Sequence, residues 1–191
     1  MSGRALLSMA TWWSMTLWMA AIAAAGIAAA GVFATLPELN PTLPEFSAMD
    51  PSVHGRLASG LITEPIFTAT DAAQVVFTCI VLACIVLHWA VGAGSHRPVA
   101  RIGWTLASLL AMACLWSRIF LIMPDMNADL QAYRTAARNG DVDLATRAYD
   151  AFNSMHPTAS TLMETGAILT LIAIGALAIM YRLPGKQGAS R

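Results

Sequence analysis

Long apolar runs separated by polar stretches form the basic pattern of this chain. Four of the runs are long enough to cross a bilayer as helices, which takes about 20 residues each. A long polar stretch follows the first run and another follows the third, whereas only a few residues separate the second run from the third. The pattern predicts membrane-spanning helices at residues 12–35, 72–91, 102–123 and 159–181, with long loops at 36–71 and 124–158.

The two long polar stretches carry helix signals of their own. In the first, Asp50-Pro51 is typical of an N-cap and the first helical residue, which predicts a short surface helix at about 51–63. In the second, Asn139-Gly140 predicts a helix end and Asp141 a new N-cap, so we expect a helical hairpin. The predicted fold is all-α: an integral membrane four-helix bundle with extramembrane helical segments on the outer side.

Composition supports the membrane class. The 191-residue chain is 57% hydrophobic and 12% charged, whereas soluble domains are about 45–50% apolar and about 25% charged. This length predicts one membrane domain, residues 1–191. The first apolar run covers 24 residues, more than the roughly 7–15 of a signal peptide, so we expect it to remain as a span. The cysteines lie in apolar runs without CxxC spacing, which argues against disulfides or a zinc site.

Charged residues are divided unevenly between the two sides of the predicted bundle. None of the 11 acidic residues falls on the side that holds both termini and the short connection. An excess of Lys and Arg in short loops marks the cytoplasmic side. We therefore expect a multi-pass protein of the cytoplasmic (inner) membrane with cytoplasmic N- and C-termini and a disordered tail at 184–191. The basic residues of this side are Arg4, Arg97, Arg101, Arg182, Lys186 and Arg191.

Two charged residues lie inside the predicted spans. Arg118 comes five residues before the outer end of the third span, and Glu164 five residues after the outer start of the fourth. Both therefore lie about 8 Å below the outer interface, at about 1.5 Å per residue. A lone charge at the centre of a membrane helix costs about 2.5–3.5 kcal/mol, and an opposite charge offsets much of that cost. We predict an Arg118–Glu164 ion pair that faces the bundle interior, with Asp71 and Gln74 nearby.

A polar stripe leads from the outer surface to this predicted pair. His156, Ser160 and Glu164 are spaced by four residues, so they share one face of the fourth helix. Ionisable groups inside a membrane are typical of ion, proton or ligand paths. A paired arginine and acid also fits a structural clasp that fixes the register of the helices. Both hypotheses stay open at the level of the sequence.

Histidines and methionines raise the question of a bound metal. His88 lies near the inner end of the second span, where snorkelling towards the interface accounts for it. A bis-histidine haem is excluded, because His54 and His156 lie on the opposite side. Copper is a weaker alternative: thioether and imidazole groups suit Cu(I), but methionine also fills gaps in apolar packing. We predict no metal site and no cofactor; the copper candidates are Met123, Met126, Met155 and His156.

Small residues are frequent in the first span, and several recur at four-residue spacing, for example Ala20, Ala24 and Ala28. In lipid, small residues let helix backbones approach each other closely. This helix is therefore expected to lie at the centre of the bundle or to contact a second copy or another membrane protein.

The motifs that are present and absent in the sequence limit the classes of function that we expect. No nucleophile–base pair, phosphate-binding loop or nucleic-acid-binding patch is visible, so we expect neither an enzyme nor a nucleic-acid partner, and the lipid bilayer is the expected surroundings. The first hypothesis is a non-enzymatic accessory or assembly subunit of a membrane complex. The alternative is a small transporter or ion- or metal-handling protein that uses the intramembrane Arg–Glu–Asp cluster near the outer face.

Three stretches of the chain resemble one known family. Two are Gly31-Val-Phe-Ala-Thr-Leu-Pro and His54-Gly-Arg-Leu-Ala-Ser-Gly-Leu-Ile-Thr-Glu-Pro-Ile-Phe; the third is Met155-His-Pro-Thr-Ala-Ser-Thr-Leu-Met-Glu. With the four-span layout, they resemble the bacterial relatives of eukaryotic transmembrane protein 205, a membrane family of unknown function. The resemblance implies a four-helix membrane bundle and no assigned reaction. The chain departs from the family pattern near Glu164, where an amide or apolar residue is expected.

Overall fold

Helices account for most of the chain in the computed structural model, which describes residues 2–92 and 97–181. No strand occurs in these two ranges, and the all-α prediction is confirmed. The predicted disordered tail, 184–191, lies outside the described residues. So do Arg182 before it and Lys186 and Arg191 within it. The α-helices are α1 (Gly3–Thr35), α2 (His54–Ala90), α3 (Pro98–Ser117), α4 (Met123–Arg138) and α5 (Val142–Tyr181).

Two of the helices are much longer than a bilayer requires. With 37 and 40 residues, α2 and α5 extend for about 55 and 60 Å, against a hydrocarbon core of about 30 Å. The predicted separate surface helix at 51–63 is wrong: a short 3₁₀ turn, Pro51–Val53, leads directly into α2. Likewise α5 runs without a break from the predicted hairpin into the last span. A change in hydropathy marks where a helix changes surroundings, and it does not require the helix to end there.

The predicted capping signals are present in the structure. The carboxylate of Asp50 accepts a hydrogen bond from the Ser52 amide at 2.8 Å, at the start of the 3₁₀ turn. Gly140 has φ of 76°, a left-handed conformation that glycine adopts without strain, and it ends the turn after α4. Asp141 then accepts from the Leu144 amide at 3.0 Å and caps α5. Local sequence chemistry therefore predicts these turns correctly, because each depends only on neighbouring residues.

The bundle has two ends, which are joined by an apolar core. Since α4 continues in the direction of α3, the chain forms four long helical segments that alternate in direction. α1 packs along α2, and α3 and α4 pack along α5. The start of α1 and the end of α5 meet at one end, which we call the proximal end. The opposite end, where α2 and α5 begin, is the distal end. Between them lies an apolar core that includes Met15, Trp18, Ile22, Val81, Trp104, Met112, Ala173 and Leu177.

A second apolar core lies at the distal end and forms what we call the distal unit. It consists of Phe46, Leu57, Tyr133, Ala136, Ala137, Ala145 and Ala148. His54 holds the loop between α1 and α2 against this unit: its Nδ1 accepts from the Leu43 amide at 3.2 Å, and its Nε2 donates to the Phe46 carbonyl at 3.1 Å. The loop is therefore an ordered part of the fold, and its own Phe46 side chain is completely buried in the distal unit.

The surface of the bundle is apolar around its middle. Four helical segments of the described residues are long and apolar enough to cross a membrane: Gly3–Thr35, Pro51–Ala90, Pro98–Arg138 and Val142–Tyr181. Large apolar side chains lie exposed on these segments, among them Ile27 with 73% of its surface exposed. In water such a surface is an association or membrane site. The fold is that of a multi-pass membrane protein.

Candidate functional site

Arg118 lies at an irregular point of the long α3–α4 helix. Residues Arg118–Ile122 form a π-helical turn, in which the Met123 amide donates to the Arg118 carbonyl five residues earlier. The side chain is buried, with 7% of the residue exposed. Such turns are rare and occur often at functional sites. An ionisable side chain in the bundle interior at a π turn is the strongest local indication of a functional site in this chain.

The charge of Arg118 is neutralised by an acidic residue of α2. Its Nη2 forms a salt bridge with Oδ1 of Asp71, and Gln74 donates to the same oxygen at 3.4 Å. Asp71 and Gln74 lie one helical turn apart, so they present their side chains to the same place. The structure thus brings together three of the residues that the sequence singled out. The guanidinium and carboxylate compensate each other, which removes the cost of a lone intramembrane charge.

A small, partly open cavity lies beside this cluster, between the helices. It has a volume of about 10 Å³ and is lined by Trp18, Gln74, Arg118, Met163 and Gly166, among others. That is room for about one water molecule. Within the described residues, the buried Nε of Arg118 has no hydrogen-bond partner.

A line of polar contacts joins α2 to α3 and α4. Whereas the other neighbouring helices pack closely, α2 and α3 approach each other at few points, and long side chains bridge the gap. The pairs follow one another in the order expected of antiparallel helices, and we call this set of separate contacts the polar seam. From the proximal end, its pairs are Trp89–Thr105 (3.2 Å), Thr78–Trp116 (3.4 Å), Asp71–Arg118 and Glu64–Arg134.

The predicted Arg118–Glu164 pair is wrong. Glu164 is exposed on α5 and forms no salt bridge within residues 2–92 and 97–181. The reason is rotational: α5 turns Gly166 towards the Arg118 cavity, and a position two residues away lies about 200° around the helix. His156 is also exposed and Ser160 is half-buried. The predicted stripe exists as a helical face, but it lies on the outside of the bundle.

The copper candidates differ in their exposure. Met126 is buried, Met123 and Met155 are half-buried, and the exposed His156 has its ring 5.6 Å from that of Phe152. No group of three or more His, Cys, Asp or Glu that could hold a metal occurs in the part of the chain described here. The expected absence of a metal and a cofactor stays a prediction.

His88 forms a polar cluster that sequence reasoning missed. It is completely buried, so the explanation by snorkelling to the interface is wrong. Its Nε2 lies 3.0 Å from Thr11 Oγ1 and 3.1 Å from the Tyr181 hydroxyl. Thr11 donates its own proton to the Leu7 carbonyl at 2.7 Å, so His88 donates to Thr11. The available signal was that these three polar groups lie near the same ends of three different spans.

The distal unit contains its own ionic and aromatic network. Arg134, 4% exposed, forms a salt bridge with Glu64, and Arg56 donates to the Tyr149 hydroxyl at 3.1 Å. The ring of Tyr133 lies 5.4 Å from that of Tyr149. Burial raises the pKa of Tyr133 above its usual value, and Tyr149 raises it further, while Arg56 and Arg134 act in the opposite direction.

Stability at alkaline pH is expected to depend on Tyr133. Because its pKa is higher in the folded state, the protonated phenol is favoured there, and stability falls as the pH rises above about 10. Replacing Tyr133 with phenylalanine should reduce this alkaline loss. The check is an absorbance titration of phenolate in the wild type and in Tyr133→Phe, together with unfolding midpoints at about pH 9 and pH 11. A Tyr133 difference titration centred below 10 would contradict the prediction.

Comparisons of the chain with known proteins do not identify a relative. No family model, no curated protein and no solved structure matches the chain. The fold therefore defines the class, a multi-pass α-helical membrane protein with a polar cluster between its helices, and the functional conclusion depends on the geometry described above.

Proposed function

We propose that this protein lies in the cytoplasmic (inner) membrane with both termini in the cytoplasm. The proximal end supports this orientation, because Arg4, Arg97 and Arg101 lie there and no acidic residue of the sequence does. Basic residues in short loops favour the cytoplasmic side. The acids lie towards the other end, where they would face the outer side.

We propose that the protein is a non-enzymatic accessory or assembly subunit of a membrane complex, or of a homo-oligomer. The carrying observation is an exposed surface of α1, which we call the α1 face; it consists of three small residues and one larger one: Ala20, Ala24, Gly31 and Ile27. A Cβ added at Gly31 would meet no atom within 4 Å, so packing inside the chain does not require glycine there. Small residues on a membrane surface favour close approach of another helix.

Glu164 supports the same proposal from another element. Arg118 is already neutralised by Asp71, so Glu164 remains as an exposed acid in the apolar half of α5. Polar and ionisable side chains at membrane depth favour hydrogen bonds or ion pairs with a neighbouring helix.

We also propose that the chain is related to the bacterial relatives of transmembrane protein 205. This proposal rests on the three motifs named above, and one of them contains His54 and Gly55, which also close the distal unit.

Blocking the α1 face is expected to release the protein from its complex. Ala24→Leu adds bulk where a neighbouring helix would approach, and should reduce the recovered complex about tenfold, the equivalent of about 1.4 kcal/mol. The measurement is native electrophoresis of gently solubilised membranes, compared with the purified protein in vesicles, where a dimer identifies a second copy as the neighbour.

The matched control is Val86→Leu, which enlarges another exposed apolar residue, 61% exposed on α2. It should leave the complex intact. Equal folded yield of both variants establishes that the bundle itself tolerates the changes. An unaltered complex in Ala24→Leu would rule out the α1 face as the contact.

A second candidate function is the handling of an ion or a proton at the Arg118 site. The observation in its favour is the buried Nε of Arg118, which lacks a partner among the described residues and belongs to a side chain lining the cavity. The polar seam extends polar groups along the same interface. Flux across vesicles containing the purified protein separates this candidate from the first.

A further inference from the structure

A groove opens on the surface of the proximal end, away from the Arg118 site. It lies between the first turns of α1 and the last turns of α2, and its volume is about 410 Å³. Ligand pockets in proteins typically measure about 300–1,000 Å³. Its walls are apolar except at one point. The lining residues are Gly3, Arg4, Leu7, Leu87 and Val91.

Arg4 supplies the charge at this groove. The residue is exposed, and one of its nitrogens donates a long hydrogen bond, 3.4 Å, to the Val91 carbonyl at the end of α2. The two other described arginines of this end have partners of their own. Arg97 donates to the Ile179 carbonyl at 3.1 Å, and Arg101 lies 4.0 Å above the Trp89 ring. Arg4 therefore presents most of its donors outwards beside an apolar channel.

No acidic side chain of the proximal end competes for this guanidinium. The sequence has no Asp or Glu before residue 38, none between 72 and 124, and none after 164. The charged side chains that the structure describes at the proximal end are therefore all basic. Basic pockets between membrane helices on the cytoplasmic side bind anionic headgroups, and the arginine fork matches a phosphate group in geometry.

We propose that this groove binds one anionic phospholipid. Its phosphate contacts the Arg4 guanidinium, and one acyl chain lies against Leu7, Leu87 and Val91. The space at Gly3 is open, because a Cβ added there would meet no atom within 4 Å. The inference rests on the proposed placement of the proximal end at the cytoplasmic membrane surface. It is independent of the α1 face and of any protein neighbour.

Native mass spectrometry of the full chain tests this lipid site. The protein is reconstituted in vesicles of equal parts phosphatidylglycerol and phosphatidylcholine, extracted in a non-ionic detergent, and scored for retained lipid. The wild type should retain one phosphatidylglycerol in preference to phosphatidylcholine. Arg4→Gln should weaken that retention about five-fold, the effect of about one basic residue near an anionic surface. Arg4→Lys should keep part of it, since the charge remains.

A second variant tests the apolar part of the groove. Gly3→Phe introduces a ring into the open space and should displace the acyl chain although Arg4 is unchanged. The control is Arg147→Gln, which removes an exposed charge from the distal part of α5 and should retain lipid like the wild type. Thermal unfolding of each variant confirms that the bundle is intact. The preference of the wild type for phosphatidylglycerol over phosphatidylcholine tests the proposal even if a variant does not fold.

Three results would overturn the proposal. The first is equal retention of both lipids by the wild type, which would mean that charge has no role. The second is unchanged phosphatidylglycerol retention in folded Arg4→Gln. The third is displacement of the lipid by inorganic phosphate with no effect of Gly3→Phe, which would reduce the groove to a simple anion contact. None of these results affects the Ala24→Leu experiment, so failure of the lipid site and failure of the accessory function are distinguishable.

Discussion

Replacing Asp71 with asparagine is expected to lower the free energy of unfolding by about 3 kcal/mol, because it leaves the buried Arg118 guanidinium without its counter-charge. Arg118 is 7% exposed and the Asp71 side chain 18% exposed, so solvent screens the pair weakly. Gln74 donates to the same carboxylate and cannot replace it as an anion. The loss should appear as a lower folded yield in detergent and a lower unfolding midpoint.

The double variant gives the sharper result. Arg118→Gln removes the charge that Asp71→Asn leaves uncompensated, so the combination should recover much of the loss, since replacing both partners of a buried pair is often close to neutral. Glu164→Gln is the control on α5, and it should leave the folded yield unchanged because Glu164 is exposed. A loss in Glu164→Gln as large as that in Asp71→Asn would contradict the pairing described here.

The same variants separate the two candidate functions. If Asp71→Asn and Arg118→Gln change only the folded yield, and the double variant behaves as the wild type in the cell, the pair is a structural clasp. If the folded double variant abolishes an ion or proton flux that the wild type shows in vesicles, the Arg118 site carries out the function itself. The polar seam would then be the part of the molecule in which to look for the path.

Gly55→Ala is expected to disrupt the distal unit. A Cβ at this position would lie 2.5 Å from the Pro37 Cα, 3.0 Å from the Pro37 nitrogen and 3.1 Å from the Leu36 carbonyl oxygen. All three atoms belong to the backbone, so no side-chain rotation relieves the clash. Overpacking of this kind costs about 1–3 kcal/mol, occasionally more. The start of α2 must move away from the loop, and the His54 hydrogen bonds must loosen with it.

Hydrogen exchange measures this effect directly. Amides of residues 36–53 should exchange faster in Gly55→Ala, while those of the proximal part of the bundle stay protected. The control is Gly60→Ala on the same helix, where the nearest atom to an added Cβ is Nη2 of Arg134 at 3.7 Å, an ordinary contact. That change should be neutral or slightly stabilising, since alanine favours a helix more than glycine does. Wild-type exchange in Gly55→Ala would mean that the loop does not depend on this close approach.

The number of candidate spans, the all-α class and the turn chemistry were all predictable from the sequence alone. Apolar runs of sufficient length predict spanning helices, because backbone groups in lipid must be satisfied within a helix. The Asp50 and Asp141 caps and the Gly140 turn were predictable, since each involves contacts between residues a few positions apart. Among the polar residues that the sequence singled out, the structure brings together three, Asp71, Gln74 and Arg118, and leaves three outside the cluster, Glu164, His156 and Ser160.

Which of these residues meet depends on the packing of the helices in the folded protein. Arg118 and Glu164 lie at similar predicted depth, but depth does not fix the rotation of α5, and packing turns Gly166 inwards and Glu164 outwards. The same holds for His88, which the sequence assigned to the interface and the structure buries against Thr11 and Tyr181. Helical periodicity gives the angle between residues of one helix, whereas the face turned to its neighbours depends on how all the helices pack together.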